Sequence, residues 1–153
     1  GDSRCITIDK HNKITQWTKD HHPKYDQTEK QRLIQLGVLA ANGIIPDYFG
    51  SGTYKVAMTR CIGNGHLKHL DPGLFLSVPD VIEYEWTDND KYLILCSDGL
   101  FDTVAQFKSM FYQHALDKFD KDLSEFARLL TKYAIWDDLT GDNVSVIVIQ
   151  LNV

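Results

Sequence analysis

Two short acidic strings hold the residues of this sequence best suited to chemistry. They are Leu95-Cys96-Ser97-Asp98-Gly99 and Gly141-Asp142-Asn143-Val144-Ser145. Each sets one aspartate between a hydrophobic run and a turn. Lys91-Tyr92-Leu93-Ile94-Leu95 before the first and Val144-Ser145-Val146-Ile147-Val148-Ile149 after the second read as strands. The segment between them reads as two helices, which carry the chain away from one edge of a sheet and back to it. The two strands then run antiparallel, with Asp98 and Asp142 at the same edge. Paired carboxylates at a strand edge are what a hard divalent cation needs. Taken singly, each acid could be an Asx-type turn, with Gly99 at positive φ. Together, and with no lysine or arginine flanking either one, they favour a metal site. Asp2 is a third acid at a turn before a strand. Its plain reading is a loop acid, with Arg4 as its partner or as a sheet-edge charge.

The elements that must position these acids follow from periodicity. Arg4 to Asp9 alternates as a strand, Lys10-His11-Asn12 makes a turn, and Lys13 to Trp17 returns, giving a hairpin. Asp26 and Glu29 have capping-box spacing ahead of Leu33, Ile34 and Leu36, so a helix is expected over about 27–36 with Gly37 as its C-cap. Residues 41–53 are glycine-punctuated and read as irregular. A short strand is expected at Tyr54–Met58, a surface excursion over 59–79, and a further strand at Asp80–Trp86. Val104, Phe107, Phe111 and Ala115 recur at helical spacing, as do Leu123, Phe126, Leu130 and Ala134. These stripes read as core faces, not cofactor contacts. The order, ββ-α-ββ(β)-αα-β, is that of an α+β fold with helices on a mainly antiparallel sheet.

The 153 residues have the size of one ordinary domain, and their 43% hydrophobic and 24% charged shares are those of a globular protein. A net charge of -5 argues against a nucleic-acid or anionic-membrane partner, since no broad basic field exists. No apolar run reaches the roughly 18 residues of a membrane span. Cys5, Cys61 and Cys96 are odd in number and widely spaced. They read as free thiols in a reducing cytoplasmic or nuclear setting. The abrupt opening, Gly1-Asp2-Ser3-Arg4 running straight into a strand pattern, reads as the start of a fragment whose N-terminal part is missing.

Other motifs weigh less. Gly50-Ser51-Gly52-Thr53-Tyr54-Lys55-Val56 faintly resembles a kinase glycine loop, but no HRD or DFG string accompanies it. Gly63-Asn64-Gly65-His66-Leu67-Lys68 lacks the GK[ST] of a P-loop. His21 and His22 read as a solvated pair, and His66 and His69 lack a third zinc ligand in view. No Gly-x-Ser-x-Gly nucleophile string occurs.

Five segments together resemble the metal-dependent serine/threonine protein phosphatases of the protein phosphatase 2C type. They are Gly1-Asp2-Ser3-Arg4; Trp17-Thr18-Lys19-Asp20-His21 with Glu29-Lys30-Gln31-Arg32-Leu33-Ile34; Thr59-Arg60-Cys61-Ile62-Gly63-Asn64; Leu93 to Asp102; and Gly141 to Val146. Their order and spacing match along nearly the whole chain. The resemblance implies an α-β-β-α sandwich with a di-metal Mg²⁺ or Mn²⁺ centre at one end of two sheets. It implies that Asp98 and Asp142 help hold that pair, and that Asp2 with Asp98 holds a third, weaker metal. Residues 38–79 correspond to the variable flap beside the substrate cleft. The implied reaction is in-line attack of an activated water on the phosphorus of phosphoserine or phosphothreonine in a phosphoprotein. Oxygen-only ligation agrees with Mg²⁺ or Mn²⁺ and not zinc. A monomer is expected.

The resemblance also marks departures. The family's N-terminal portion, with its phosphate-binding arginine and Asp-Gly-His element, has no counterpart in residues 1–153. The chain is therefore expected to be the C-terminal portion of a single phosphatase domain and inactive alone. Asn64 stands where the family usually has aspartate. That leaves open a pseudophosphatase, a related fold used as scaffold or regulator.

Overall fold

The computed structural model describes residues 1–36, 58–70, 73–101, 122–137 and 141–151. The chain divides into two compact units. One comprises Gly1–Asp2 and Lys19–Ile82, the other Ser3–Thr18 and Glu83–Val153.

In the first unit, helix α1 spans Gln27–Gln35. Asp26 begins it, its carboxylate accepting from the N–H groups of Thr28 and Glu29. That satisfies two of the donors a helix N-terminus leaves open. The expected reciprocal half of the capping box does not form. Glu29 turns inward and is fully buried beside Leu33, because stronger donors than a backbone N–H await it there. Leu36 closes the helix. Gly37, the whole of the expected irregular 41–53 stretch and most of the expected 54–58 strand lie outside the described residues, as does the glycine string at 50–56.

The described residues of 59–79 are largely exposed, as expected of a surface excursion, but three of them turn inward. Thr59, Leu74 and Phe75 are buried, and Arg60 forms a parallel bridge with Leu76. A short helix α2, Gly65–Leu70, follows a turn in which Gly63 (φ 92°) and Asn64 (φ 51°) both take left-handed backbone. Glycine and asparagine are the residues that tolerate this.

In the second unit, β1 (Arg4–Asp9), β2 (Ile14–Gln16), β3 (Asp90–Cys96) and β4 (Val146–Gln150) form one antiparallel sheet in the order β2-β1-β3-β4. The hairpin turn is held by Asp9, whose Oδ1 accepts from the N–H groups of His11 and Lys13, with Asn12 at φ 62°. Helix α3 (Leu123–Lys132) starts on Asp122, which accepts from Ser124 and Glu125. Its Phe126 and Leu130, with Ala134 just beyond, join Ile6, Ile8, Tyr92, Ile94, Cys96, Leu100 and Phe101 in one core. The period-2 pattern of the strands and the 3.6 pattern of the helix meet there, as the apolar stripe predicted. The earlier stripe, Val104 to Ala115, lies outside the described residues.

The expected strand at Asp80–Trp86 does not form. Within the second unit, side chains rather than a ladder hold its end. Tyr84 packs against Trp17, the rings tilted by 40° with centroids 4.1 Å apart, and meets Trp86 edge-on at 5.2 Å. The Tyr84 hydroxyl donates to Asp90 Oδ2 at 3.0 Å. Alternation marks a half-buried extended chain, but a strand also needs a neighbouring backbone. No helix among the described residues is long and apolar enough to cross a membrane.

Candidate metal centre

Two of the three predicted acids meet in the second unit. The β3/β4 register pairs Cys96 with Val146, and the ladder continues one step further, Ser97 N–H donating to Ser145 O at 3.0 Å. The Ser97 hydroxyl then bridges the two strands. It accepts from Ser145 N–H at 3.0 Å and donates to Asn143 O at 3.3 Å. Asp98 follows at once and opens a 3-10 turn, Asp98–Leu100. Its Oδ1 accepts from Gly99 N–H at 3.0 Å. Asp142 stands opposite and repeats the device, its Oδ1 accepting from Asn143 N–H at 2.7 Å.

Gly99 is what lets the two turns meet. A β-carbon there would stand 2.5 Å from Asn143 O and 3.4 Å from Asp142 Cβ. Asp142 is exposed and Asp98 half-buried. The glycine is therefore required by close approach, and not by the positive φ that an Asx turn would call for; Gly99 is absent from the positive-φ residues. Ser97 and Gly99 were not singled out by the sequence reading as residues that organise the site. Their only signal was adjacency to Asp98.

Asp2 belongs to the first unit and is half-buried there. Its neighbour Gly1 is pressed against the chain at 58–60. A β-carbon on Gly1 would lie 3.0 Å from Met58 Sδ and 3.3 Å from Arg60 O. Gly1 O accepts from His21 N–H at 2.9 Å, and His21 O accepts from Thr59 N–H at 2.7 Å. Arg4, read as a partner of Asp2 or as a sheet-edge charge, begins β1 in the second unit, with its guanidinium 4.7 Å from the Phe101 ring centroid.

A buried ion cluster lies behind this backbone. Glu29 Oε1 accepts from Arg60 Nε and Nη2 at 2.8 and 2.6 Å. Glu29 Oε2 accepts from Arg32 Nη2 at 2.8 Å and from the Thr59 hydroxyl at 2.5 Å. Arg32 is in turn anchored on the carbonyls of Gly73 and Leu74. Burial by itself would raise the Glu29 pKa, but the hydrogen bonds from Thr59, Arg32 and Arg60 prevail and bring it down to about 2. Asp80 is also held at about 2, first by the His21 hydrogen bond and then by Arg60 and Lys19. His21 is buried, with Nε2 3.1 Å from Asp80 Oδ2. It is not half of the solvated pair expected.

Asp98 and Asp142 suit a hard cation in kind. Both offer carboxylate oxygen, and Mg²⁺ takes one or two carboxylates and keeps several waters. Gly99 leaves room for their turns to converge. Among the described residues, no group of three or more His, Cys, Asp or Glu is arranged to hold a metal ion. Asn64 Nδ2 lies 3.5 Å from Cys61 Sγ.

The chain is similar to known proteins. The family described as Protein phosphatase 2C matches residues 1–144. The chain is 31% identical over 154 residues to Probable protein phosphatase 2C 52 of Oryza sativa subsp. japonica, covering 98% of this chain and 28% of that protein. It is 34% identical over 151 residues to Protein phosphatase 2C homolog 1 of Saccharomyces cerevisiae, covering 99% and 47%. The chain thus spans less than half the length of both relatives. A crystal structure of a phosphatase from a pathogenic strain of Toxoplasma gondii superposes with a TM-score of 0.72 at 25% identity, over 99% of this chain and 47% of that one. Serine-threonine phosphatase 2C from Toxoplasma gondii superposes at 0.73 over 98% and 52%, and at 20% identity this shows the α+β fold alone. By sequence match along almost its whole length, and by fold, the chain belongs to the protein phosphatase 2C family.

Proposed function

We propose that residues 1–153 are the C-terminal portion of a single phosphatase domain, with 38–79 as its flap-like region. The whole protein hydrolyses phosphoserine or phosphothreonine in phosphoproteins, with Mg²⁺ or Mn²⁺ as cofactor: two ions, and a third more weakly held. The observation that carries this reading is the junction of the Asp98 and Asp142 turns across Gly99.

Asp98 and Asp142 would hold the metal pair, and Asp2 would contribute to the third ion. Bound divalent ions supply acidification of a water and neutralisation of phosphoryl charge. This chain's own residues supply placement. Ser97 locks the ends of β3 and β4 together, so the two aspartates leave their strands at a set separation. The N–H groups of Gly99 and Asn143 each hold one oxygen of the aspartate before them. That orients the carboxylates before any ligand arrives, which is how a rigid frame aids a reaction.

The alternative, a pseudophosphatase, rests on Asn64. Asn64 takes φ 51° and directs its amide to Cys61, a local backbone role for which asparagine is well suited.

Mn²⁺-dependent release of phosphate from a phosphothreonine peptide tests the proposal. The full-length protein should turn over, and the 153 residues alone should stay near background. A full-length protein inert at saturating Mn²⁺ would overturn the hydrolase reading. Equal rates for the two would overturn the claim that the centre is completed by residues outside this chain.

A further inference from the structure

We propose that Glu29 is a positioning residue for Asp2, acting through Thr59 and His21. The inference rests on the reading of Asp2 as a metal ligand. All the residues involved lie in the first unit.

The link is continuous. The Thr59 hydroxyl donates its one proton to the Glu29 carboxylate at 2.5 Å, which fixes the residue beside His21 O, 2.9 Å from that hydroxyl. Thr59 N–H grips the same His21 carbonyl at 2.7 Å. His21 N–H then binds Gly1 O at 2.9 Å, and Gly1 immediately precedes Asp2. A second path reaches the same point. Glu29 holds the Arg60 guanidinium, and the Arg60 carbonyl packs against Gly1 so closely that a β-carbon would stand 3.3 Å away. Both paths end on the residue before Asp2.

Stability alone does not account for a fully buried carboxylate here. Buried ion pairs are often replaceable by packed apolar side chains without loss of stability, and register is their best-attested use. An apolar residue at 29 would fill the space but could not fix the Thr59 hydroxyl or the Arg60 guanidinium. The cluster thus sets where the chain carrying Asp2 lies.

Calorimetric titration of the full-length protein with Mn²⁺ tests this without reference to turnover. Four forms are compared: unsubstituted, Asp2→Ala, Thr59→Val and Thr59→Ser. Asp2→Ala should weaken the weakest binding step. Thr59→Val should weaken the same step at least threefold and leave the tighter steps unchanged, while Thr59→Ser, which keeps the hydroxyl, should restore it. Loss of the step in Asp2→Ala with unchanged binding in Thr59→Val overturns the proposal. So does a Thr59→Ser protein as weak as Thr59→Val. No change in Asp2→Ala instead sinks the underlying reading of Asp2. Should Thr59→Val not fold, amide exchange of the unsubstituted protein decides the matter. Linkage is reciprocal, so saturating Mn²⁺ should slow exchange at His21 at least threefold, and unchanged exchange there overturns the proposal.

Discussion

The carbonyl oxygen of Asn143 lies 2.5 Å from where a β-carbon on residue 99 would stand. Glycine at 99 therefore joins two turns that are far apart in sequence, one holding Asp98 and the other Asp142. A substitution there cannot be absorbed by a flexible side chain, because the obstructing atom is backbone. Gly99→Ala should destabilise the protein by about 1–3 kcal/mol, the usual range for overpacking. Ser97→Ala, which removes the hydroxyl between Ser145 N–H and Asn143 O, should cost about 1 kcal/mol. Urea unfolding of both variants is the check. A Gly99→Ala midpoint equal to the parent's would contradict the close approach.

Asp98→Asn and Asp142→Asn keep the size and one oxygen of each acid but remove its charge. In the full-length protein each should abolish Mn²⁺-dependent phosphate release. Each should also weaken Mn²⁺ binding at least about tenfold, the scale seen when groups around a metal are altered. Near-native turnover in either variant would remove that residue from the centre.

Stability should depend on pH through Glu29. Its folded pKa of about 2 lies below the ordinary 4.5. A depressed acid stabilises the fold fully above the ordinary value and loses that contribution as pH falls toward the folded one. The urea midpoint should therefore hold steady down to about pH 4.5 and fall between there and pH 2. The Glu29 contribution is on the order of 3 kcal/mol, and Asp80, also at about 2 but partly exposed, adds a smaller one. Glu29→Gln should flatten the slope and lower stability at neutral pH, since it leaves Arg32 and Arg60 without their buried partner. Parallel pH profiles for the two proteins would rule this out.

The two helix caps give a local test. Asp26 accepts from Thr28 and Glu29, and Asp122 from Ser124 and Glu125. Alanine at either position should cost about 1 kcal/mol, read as a lower melting temperature. Asp26→Ala should also raise amide exchange at the start of α1, and Asp122→Ala at the start of α3. Unaltered exchange in either helix would deny that cap its role.

Local signals were strong where one element explains itself. The Arg4–Gln16 hairpin, α1 from its Asp26 cap, and the antiparallel run of β3 against β4 all follow from period, turn residues and capping. So does the inward face of α3 through Phe126, Leu130 and Ala134. The meeting of the Asp98 and Asp142 turns at one end of the sheet was legible for the same reason: an antiparallel return puts the end of one strand beside the start of the next. The strand expected at Asp80–Trp86 was not so determined, because alternation describes a chain's two faces and says nothing of a neighbour to pair with. Glu29 shows the same limit. Its spacing from Asp26 marked a capping box, but Arg32, Arg60 and Thr59 gather around it only in three dimensions, and their donors outcompete the backbone N–H.

By itself, then, the sequence determined which acids stand at turns, the hairpin and the two strands beside Asp98 and Asp142, and which family they match. Those properties are carried by residues near one another in the chain. Only the tertiary structure decided that Gly99 is needed for closeness rather than for φ, that His21 is buried against Asp80, and that Glu29 reaches Gly1 through Thr59 and His21. Each of these depends on particular atoms brought together from distant positions, and such a meeting, unlike an apolar face, leaves no periodic mark in sequence.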